Sequence, residues 1–261
     1  MEFGIKDRVA LVFGAAGGLG TAIATSLAKE GSLVALADAN EAGLAQTRAS
    51  IEALKIRSVS LAWSLGDFGA IEPNVKRIEK ELGPIDILVN NTGGPAPSLA
   101  SETPIETWRQ QFDAMVASVI AVTGAVLPSM RRRRWGRIIT SASSGVLTPI
   151  PNLAVSNALR SALVGWSKTL AREVARDGVT VNIVAPGRIA TARVRSLDEA
   201  RAAREGRTVE EVAAASAADI PVGRYGRPEE YANVVAFLAS AESSYVTGSL
   251  IRVDGGLIPS I

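Results

Sequence analysis

Three glycines follow the first apolar run of the chain, in "FGAAGGLGTAIATSLAKEG": Gly14, Gly18 and Gly20. At a strand-to-helix junction, this G-x-x-x-G-x-G spacing suits a dinucleotide. Gly14 lets the chain leave the strand in a tight turn. Gly18 lets backbone approach a pyrophosphate, and Gly20 lets the helix pack close to the strand. The helix that begins around Leu19 then offers free N–H groups and the positive end of its dipole to the phosphates. A ligand-free strand–helix turn is the competing reading of such a loop. Asp38 shifts the balance toward a ligand. It closes the second apolar run, 18 residues after Gly20. A carboxylate there can accept hydrogen bonds from both hydroxyls of an adenosine ribose, and it would repel a 2′-phosphate. The loop has Ala16 and Gly17 where a cation could stand, and Ala39 follows the acid. NAD is therefore expected in preference to NADP. The competing reading of Asp38 is a helix N-cap or a turn residue.

Composition removes several other chemistries. The chain of 261 residues has no histidine and no cysteine. That excludes disulfides, thiol nucleophiles, histidine-based metal sites and a Ser-His-Asp triad. The 28 basic and 26 acidic residues nearly cancel, so nothing in the overall charge points to nucleic acid. The N-terminal residues do not resemble a cleavable signal peptide. No apolar run is expected to approach the ~18 residues needed to cross a bilayer. The expectation is a soluble cytoplasmic protein that binds neither membrane nor metal.

Seven apolar runs alternate with helix-period segments. The runs are 8–13, 33–37, 58–62, 86–90, 137–141, 180–184 and 250–253. They are β-branched or Leu-rich with little polar alternation, as in strands covered on both faces. Helices are expected over 19–30, 41–54, 69–82, 105–130, 155–177 and 228–240, the last opening on "RPEE". This alternation predicts an α/β chain: one Rossmann-type domain over 1–261, with a doubly wound parallel sheet. Between Gly187 and Pro221 an Arg/Ala/Glu-rich insertion reads as one or two helices forming a lid over about 188–220.

The pieces that match a known family stand in its order. "GAAGGLG", "ILVNNTGG" (87–94), "GRIITSASSG" (136–145), "DGVTVNIVAPGRIATARV" (177–194), "RYGRPEEYANVVAFLAS" and "SYVTGSLIRVDGG" together resemble the short-chain dehydrogenase/reductase family along nearly the whole chain. The resemblance implies strand order 3-2-1-4-5-6-7 and a nicotinamide at the carboxyl ends of the strands. It implies cofactor contacts from Asn90 and Gly93, and from Pro186, Gly187, Ile189 and Thr191 on the turn after strand six. Ser64 falls where the family often has an adenine-contacting acid, with Asp67 three residues later. Adenine recognition is therefore expected from backbone near Leu65.

The family handles protons with asparagine, serine, tyrosine and lysine. Counting back from "KTLARE" puts Arg160 at the lysine and Ser156 at the tyrosine, four residues earlier. Ser143 falls on the serine, with Ser144 beside it, and Met115 falls on the asparagine. Only the serine is retained. Ser156 is shorter than a phenol and its pKa is far higher. Arg160 stays protonated, and could bond ribose hydroxyls or stabilise an oxyanion. Tyr225, Tyr231 and Tyr245 all lie in segments that resemble structural parts of the fold. "NNTGGP" (90–95) is shared with family branches that lack the tyrosine and resemble 3-oxoacyl-acyl-carrier-protein reductases.

Two readings of function follow. One is an NAD(H)-dependent oxidoreductase of a carbonyl or alcohol substrate, similar to 3-oxoacyl-thioester reductases, with Ser143, Ser156 and Arg160 at the reacting oxygen. The other is a catalytically silent nucleotide-binding or scaffold protein. "MRRRRWGR" (130–137) reads as a solvated helix end or as a surface for an acidic partner such as an acyl carrier protein. The lid arginines 188, 193, 195, 201, 204 and 207 read as solvated surface, or as recognition of a carboxylate, a phosphate, or the carrier or CoA part of a thioester. Apolar content on helices 105–130 and 155–177 predicts a homo-oligomer, which the family resemblance makes a tetramer.

Overall fold

The structure is a computed structural model and describes residues 3–260. Seven strands form one parallel sheet: β1 (Val9–Phe13), β2 (Leu33–Asp38), β3 (Ser58–Ala62), β4 (Ile85–Asn90), β5 (Gly136–Ser141), β6 (Val179–Pro186) and β7 (Leu250–Val253). Their order is β3-β2-β1-β4-β5-β6-β7, the expected arrangement. Successive strand side chains point to opposite faces, and both faces are apolar. From β1, Ala10 and Val12 enter one core with α1 (Gly18–Lys29), α2 (Glu41–Glu52) and α9 (Pro228–Ala239). Val9, Leu11 and Phe13 enter the other, with α3 (Ile71–Glu81), α5 (Ser118–Arg133) and α6 (Ala154–Val174). Strand order reverses between β1 and β4, which opens a crevice at their carboxyl ends.

The stretch expected as one helix over 105–130 is α4 (Ile105–Phe112), a π-turn at Asp113–Ala117 and α5, continuous to Arg133. This corrects one expectation. The 29-residue stretch Ile105–Arg133 is long and apolar enough, by composition, to cross a membrane. The sequence reading missed it because isolated polar residues interrupt the apolar run. In the fold, the π-turn and the start of α5 pack on α6. Met115, Val116 and Val119 meet Val155, Leu159 and Leu163.

The lid consists of two helices, α7 (Ala192–Glu205) and α8 (Val209–Ala218). A capping box of Thr208 and Glu211 starts the second. Buried Asp198 fastens the lid to the body. It pairs with Arg188 at 2.5 Å and accepts a hydrogen bond from the Tyr225 hydroxyl at 2.8 Å.

Most of the arginine run is used internally. Arg131 pairs with Asp177 at 2.6 Å, Arg133 pairs with buried Asp86, and Arg134 donates to the Arg176 carbonyl at 2.7 Å. Arg137 is buried, its Nε donating to the Ser240 carbonyl, with its guanidinium over the Trp135 ring. Burial pushes its pKa down to about 10. Of the four consecutive arginines, only Arg132 makes no ion pair or side-chain hydrogen bond among the described residues.

Candidate active site and cofactor cradle

The glycine loop is shaped by contacts that a side chain would break. Gly14 has φ +63°, and a Cβ there would come within 2.5 Å of the Asn91 carbonyl oxygen. A Cβ on Gly20 would stand 1.9 Å from the Gly14 carbonyl oxygen. Thr47 clips the loop from α2, its hydroxyl donating to the Ala15 carbonyl at 2.8 Å. Gly18 faces Thr191, whose methyl would meet a Cβ at 2.9 Å. The turn leading into the lid therefore rests on the loop. Leu19 is half-buried against the core.

Asp38 ends β2 beside this loop. One carboxylate oxygen accepts from the Ala16 N–H at 3.1 Å and the other from the Asn40 N–H at 2.9 Å. The N-cap of α2 is Asn40, whose side chain accepts from Gly43 N–H, so Asp38 is not the cap, while its bond from Asn40 N–H two residues on is that of a turn residue. The carboxylate is fixed by two backbone donors and keeps lone pairs for a ribose.

Beyond β3, Leu65 packs partly into the core and Ser64 is exposed. Asp67 caps a short 3-10 turn through its bond from Ala70 N–H. At the end of β4, Asn90 and Thr92 are buried, and Asn90 Oδ1 and Thr92 Oγ1 have no hydrogen-bond partner among the described residues. Buried polar atoms are seldom left unpaired, and two adjacent ones at the crevice suit a polar ligand. Gly93 has open space where a side chain would be.

The turn after β6 completes the cradle. Gly187 touches the Asp254 backbone too closely for any side chain. Pro186, the last residue of β6, is half-buried beside β7. Ile189 is buried and bridges to Gly226. Thr191 caps α7 by accepting from Val194 N–H at 3.4 Å. A glycine cradle, a held carboxylate and unpaired acceptors at a topological switch point fit a nicotinamide dinucleotide. Asn91, packed over Gly14, is a cradle residue that spacing alone had not singled out.

Beyond the carboxyl end of β5 lies Ser143, whose oxygen accepts from Gly145 N–H at 3.0 Å. That bond occupies a lone pair and leaves the O–H free to donate. Ser144 is buried in the short turn behind it. Asn157 braces this region. Its amide donates to the Ile150 carbonyl at 2.9 Å, and its oxygen leaves no room for a side chain on Gly145. Ser156 is buried at the start of α6, and among the described residues its hydroxyl has no side-chain bond. Met115 is buried in the π-turn among aliphatic side chains. The helical irregularity is present there without a polar side chain to use it.

Arg160 is engaged with backbone at the ends of β4 and β5. One terminal nitrogen donates to the Ser141 carbonyl at 2.8 Å, and the other to the carbonyls of Thr92 at 3.2 Å and Gly93 at 3.1 Å. Three of the five guanidinium N–H groups are thus committed to backbone. Burial pushes the group down to about 10, so it is still a cation at neutral pH. It ties α6 to the end of β5 and to the loop after β4.

The three tyrosines are engaged within the fold or lie on its surface. Tyr231 is fully buried, its hydroxyl 2.8 Å from Ser141 Oγ and 3.2 Å from the Val184 carbonyl, and burial raises its pKa. Tyr225 belongs to the lid fastening, and Tyr245 is fully exposed.

The comparisons with known proteins agree with this fold. The profile of the family described as "Enoyl-(Acyl carrier protein) reductase" matches residues 14–258. The 3-oxoacyl-[acyl-carrier-protein] reductase of Escherichia coli is 38% identical over 254 residues, covering 97% of this chain and 98% of that protein. L-sorbose reductase from Gluconobacter frateurii, solved with NADPH and L-sorbose, superposes with a TM-score of 0.94 at 30% identity and full coverage of both chains. NAD+-bound xylitol dehydrogenase superposes with a TM-score of 0.90 at 28% identity, covering 97% of this chain and 99% of that one. The chain belongs to the short-chain dehydrogenase/reductase family, with the doubly wound fold of its reductases.

Proposed function

We propose that this protein is an NAD(H)-dependent oxidoreductase of a carbonyl or alcohol substrate, working like a 3-oxoacyl reductase but with an atypical proton-handling site. The observation that carries this reading is the complete cradle, from Gly14 and Asp38 to Ile189 and Thr191, ending beside a serine whose O–H is free to donate. Bound nicotinamide supplies the hydride. Gly18, Gly20 and the first turn of α1 hold the pyrophosphate, and Asp38 holds the adenosine ribose. Asn90, Thr92 and Gly93 border the nicotinamide half. Ser143 donates to the substrate oxygen and polarises the carbonyl. Ser156 and Ser143 can relay a proton from solvent, but neither can be its source near neutral pH. Arg160 acts at one remove, holding Thr92 and Gly93 in place. The test is loss of reduced-nicotinamide absorbance across a panel of ketones, oxo acids and oxoacyl thioesters. Ser143→Ala is expected to lower kcat by about 10²-fold with little change in NADH affinity.

Asp38 supports NAD over NADP, although neighbours of this fold use both. Calorimetric titration is expected to show NADH binding at least ~10-fold tighter than NADPH, about 1.4 kcal/mol. Asp38→Ser should shrink that ratio, since it removes the charge that opposes a 2′-phosphate. A wild-type preference for NADPH would overturn the assignment.

We also propose a homo-oligomer, a tetramer as in the family resemblance, through α4, α5 and α6. Ile105, Phe112 and Ile120 are exposed at 57%, 44% and 39% on the helix that passes the membrane-length test. An apolar helix left so open is best covered by a second copy. Light scattering should give a multiple of 27.2 kDa at micromolar concentration. Phe112→Glu should shift it toward the monomer, and a monomeric wild type would end the proposal.

A further inference from the structure

Six arginines lie in or beside the lid, and five of them have a carboxylate partner there, three sharing Glu205. Arg188 pairs with Asp198 at 2.5 Å, Arg195 with Glu199 at 3.1 Å, and Arg201, Arg204 and Arg207 with Glu205 at 2.7, 3.8 and 3.4 Å. Arg193 has no carboxylate partner among the described residues. It also occupies the first turn of α7, where no acidic residue stands. A cation at a helix N-terminus is disfavoured by the helix dipole, and Arg193 lies exposed with its charge open to solvent.

Its placement is specific. The guanidinium lies over Gly94, where a Cβ would be 3.0 Å from Nη2, and that nitrogen donates to the Pro95 carbonyl at 2.6 Å. Arg193 therefore bridges the lid and the loop after β4, beside Gly93 and its open space. Behind the same loop, Arg160 holds the carbonyls of Thr92 and Gly93. Two guanidinium groups therefore hold this loop, Arg160 from α6 and Arg193 from α7. Apart from the Pro95 bond, the Arg193 fork keeps four of its five donors, enough for a bidentate carboxylate.

We propose that Arg193 binds a carboxylate carried by the substrate, so that the site takes oxo acids and the corresponding hydroxy acids in preference to neutral ketones. This rests on the oxidoreductase reading above. Arg193 touches the same loop that carries Thr92 and Gly93, and the ligand proposed is a small acid whose carboxylate lies at that loop. The other anion within reach is the pyrophosphate of the cofactor, because Thr191, two residues earlier, touches Gly18.

The experiment compares 2-, 3- and 4-oxo carboxylates with their methyl esters, using wild type, Arg193→Ala and Arg193→Lys, with NADH affinity measured on each by calorimetry. Wild type is expected to favour at least one acid over its ester by about 10-fold or more in kcat/KM. Arg193→Ala should remove that preference through KM and leave NADH affinity unchanged, and Arg193→Lys should keep part of it. Loss of NADH affinity with an unchanged acid-to-ester ratio would assign Arg193 to the pyrophosphate instead. Equal use of acid and ester by wild type would also overturn the proposal. If no carbonyl compound is turned over, the oxidoreductase reading fails separately. Malonate and succinate binding to the NAD-saturated protein then decides the carboxylate site: binding lost in Arg193→Ala supports it, and no binding to wild type overturns it.

Discussion

Arg160→Met is expected to lower the thermal midpoint by roughly 5–15 °C and to weaken NADH binding by about 10-fold or more. The substitution keeps much of the side-chain volume and removes the donors. It strands the carbonyls of Ser141 and Thr92, which are buried, and of Gly93, whose bond is partly so, all of them now satisfied by Arg160. Leaving a buried polar group unpaired costs about 1–3 kcal/mol each. Removing the cation relieves its own burial, so the net loss should be about 2–4 kcal/mol, and each kcal/mol is worth roughly 2–4 °C in a chain of this size. The cofactor effect follows because two of the stranded carbonyls belong to the loop that borders the nicotinamide half. Arg160→Lys should recover part of both losses, since one ammonium can reach one or two of the three acceptors but lacks the fork. Differential scanning calorimetry with and without NADH checks this. A variant that keeps its midpoint and NADH affinity but loses turnover would instead put the guanidinium on the substrate.

The case of Arg160 shows how far the residues alone could be read. Counting from "KTLARE" located it in the chain. What it holds could not be read that way, because its acceptors lie 19, 67 and 68 positions away and a backbone carbonyl has no residue identity. The strands were legible because each is a short apolar run covered on both faces. The glycine loop was legible because Gly14, Gly18 and Gly20 each stand where a Cβ would collide with the fold. The π-turn at Asp113–Ala117 was not, since a change of hydrogen-bond register leaves no residue signature. The arginine run invited a partner because its local sequence shows only charge. Asp86 and Asp177, which neutralise part of it, come from distant segments. The same kind of accounting singles out Arg193 among the lid arginines, which look alike in sequence.

Ser156→Tyr alone is expected to raise carbonyl reduction by about 10-fold or more, whereas Ser156→Tyr with Arg160→Lys should fall below the single variant. A positioned acid contributes about 10²–10⁴-fold, and the chain has no histidine or cysteine to supply one. Wild-type turnover should therefore show no inflection from a catalytic acid between about pH 6 and 8. The single variant should lose reductive activity as pH rises through the new phenol's pKa, because the protonated phenol is the donor. The buried Arg160 cation nearby favours the phenolate and should set that pKa below the ordinary value of about 10. In the double variant, lysine replaces a three-carbonyl clamp with a single ammonium. The loop at Thr92 and Gly93 then loosens as the proton donor is gained, and misplacement by about 1 Å can cost 10²-fold. This separates the two readings of the natural site. A gain in the single variant and a loss on adding Arg160→Lys mean a competent cleft that lacks its acid and is built around an arginine clamp. No gain in Ser156→Tyr, with NADH still bound, would mean that the natural site routes its proton in another way. A gain only in the double variant would mean that arginine blocks the chemistry, and the clamp would then be incidental.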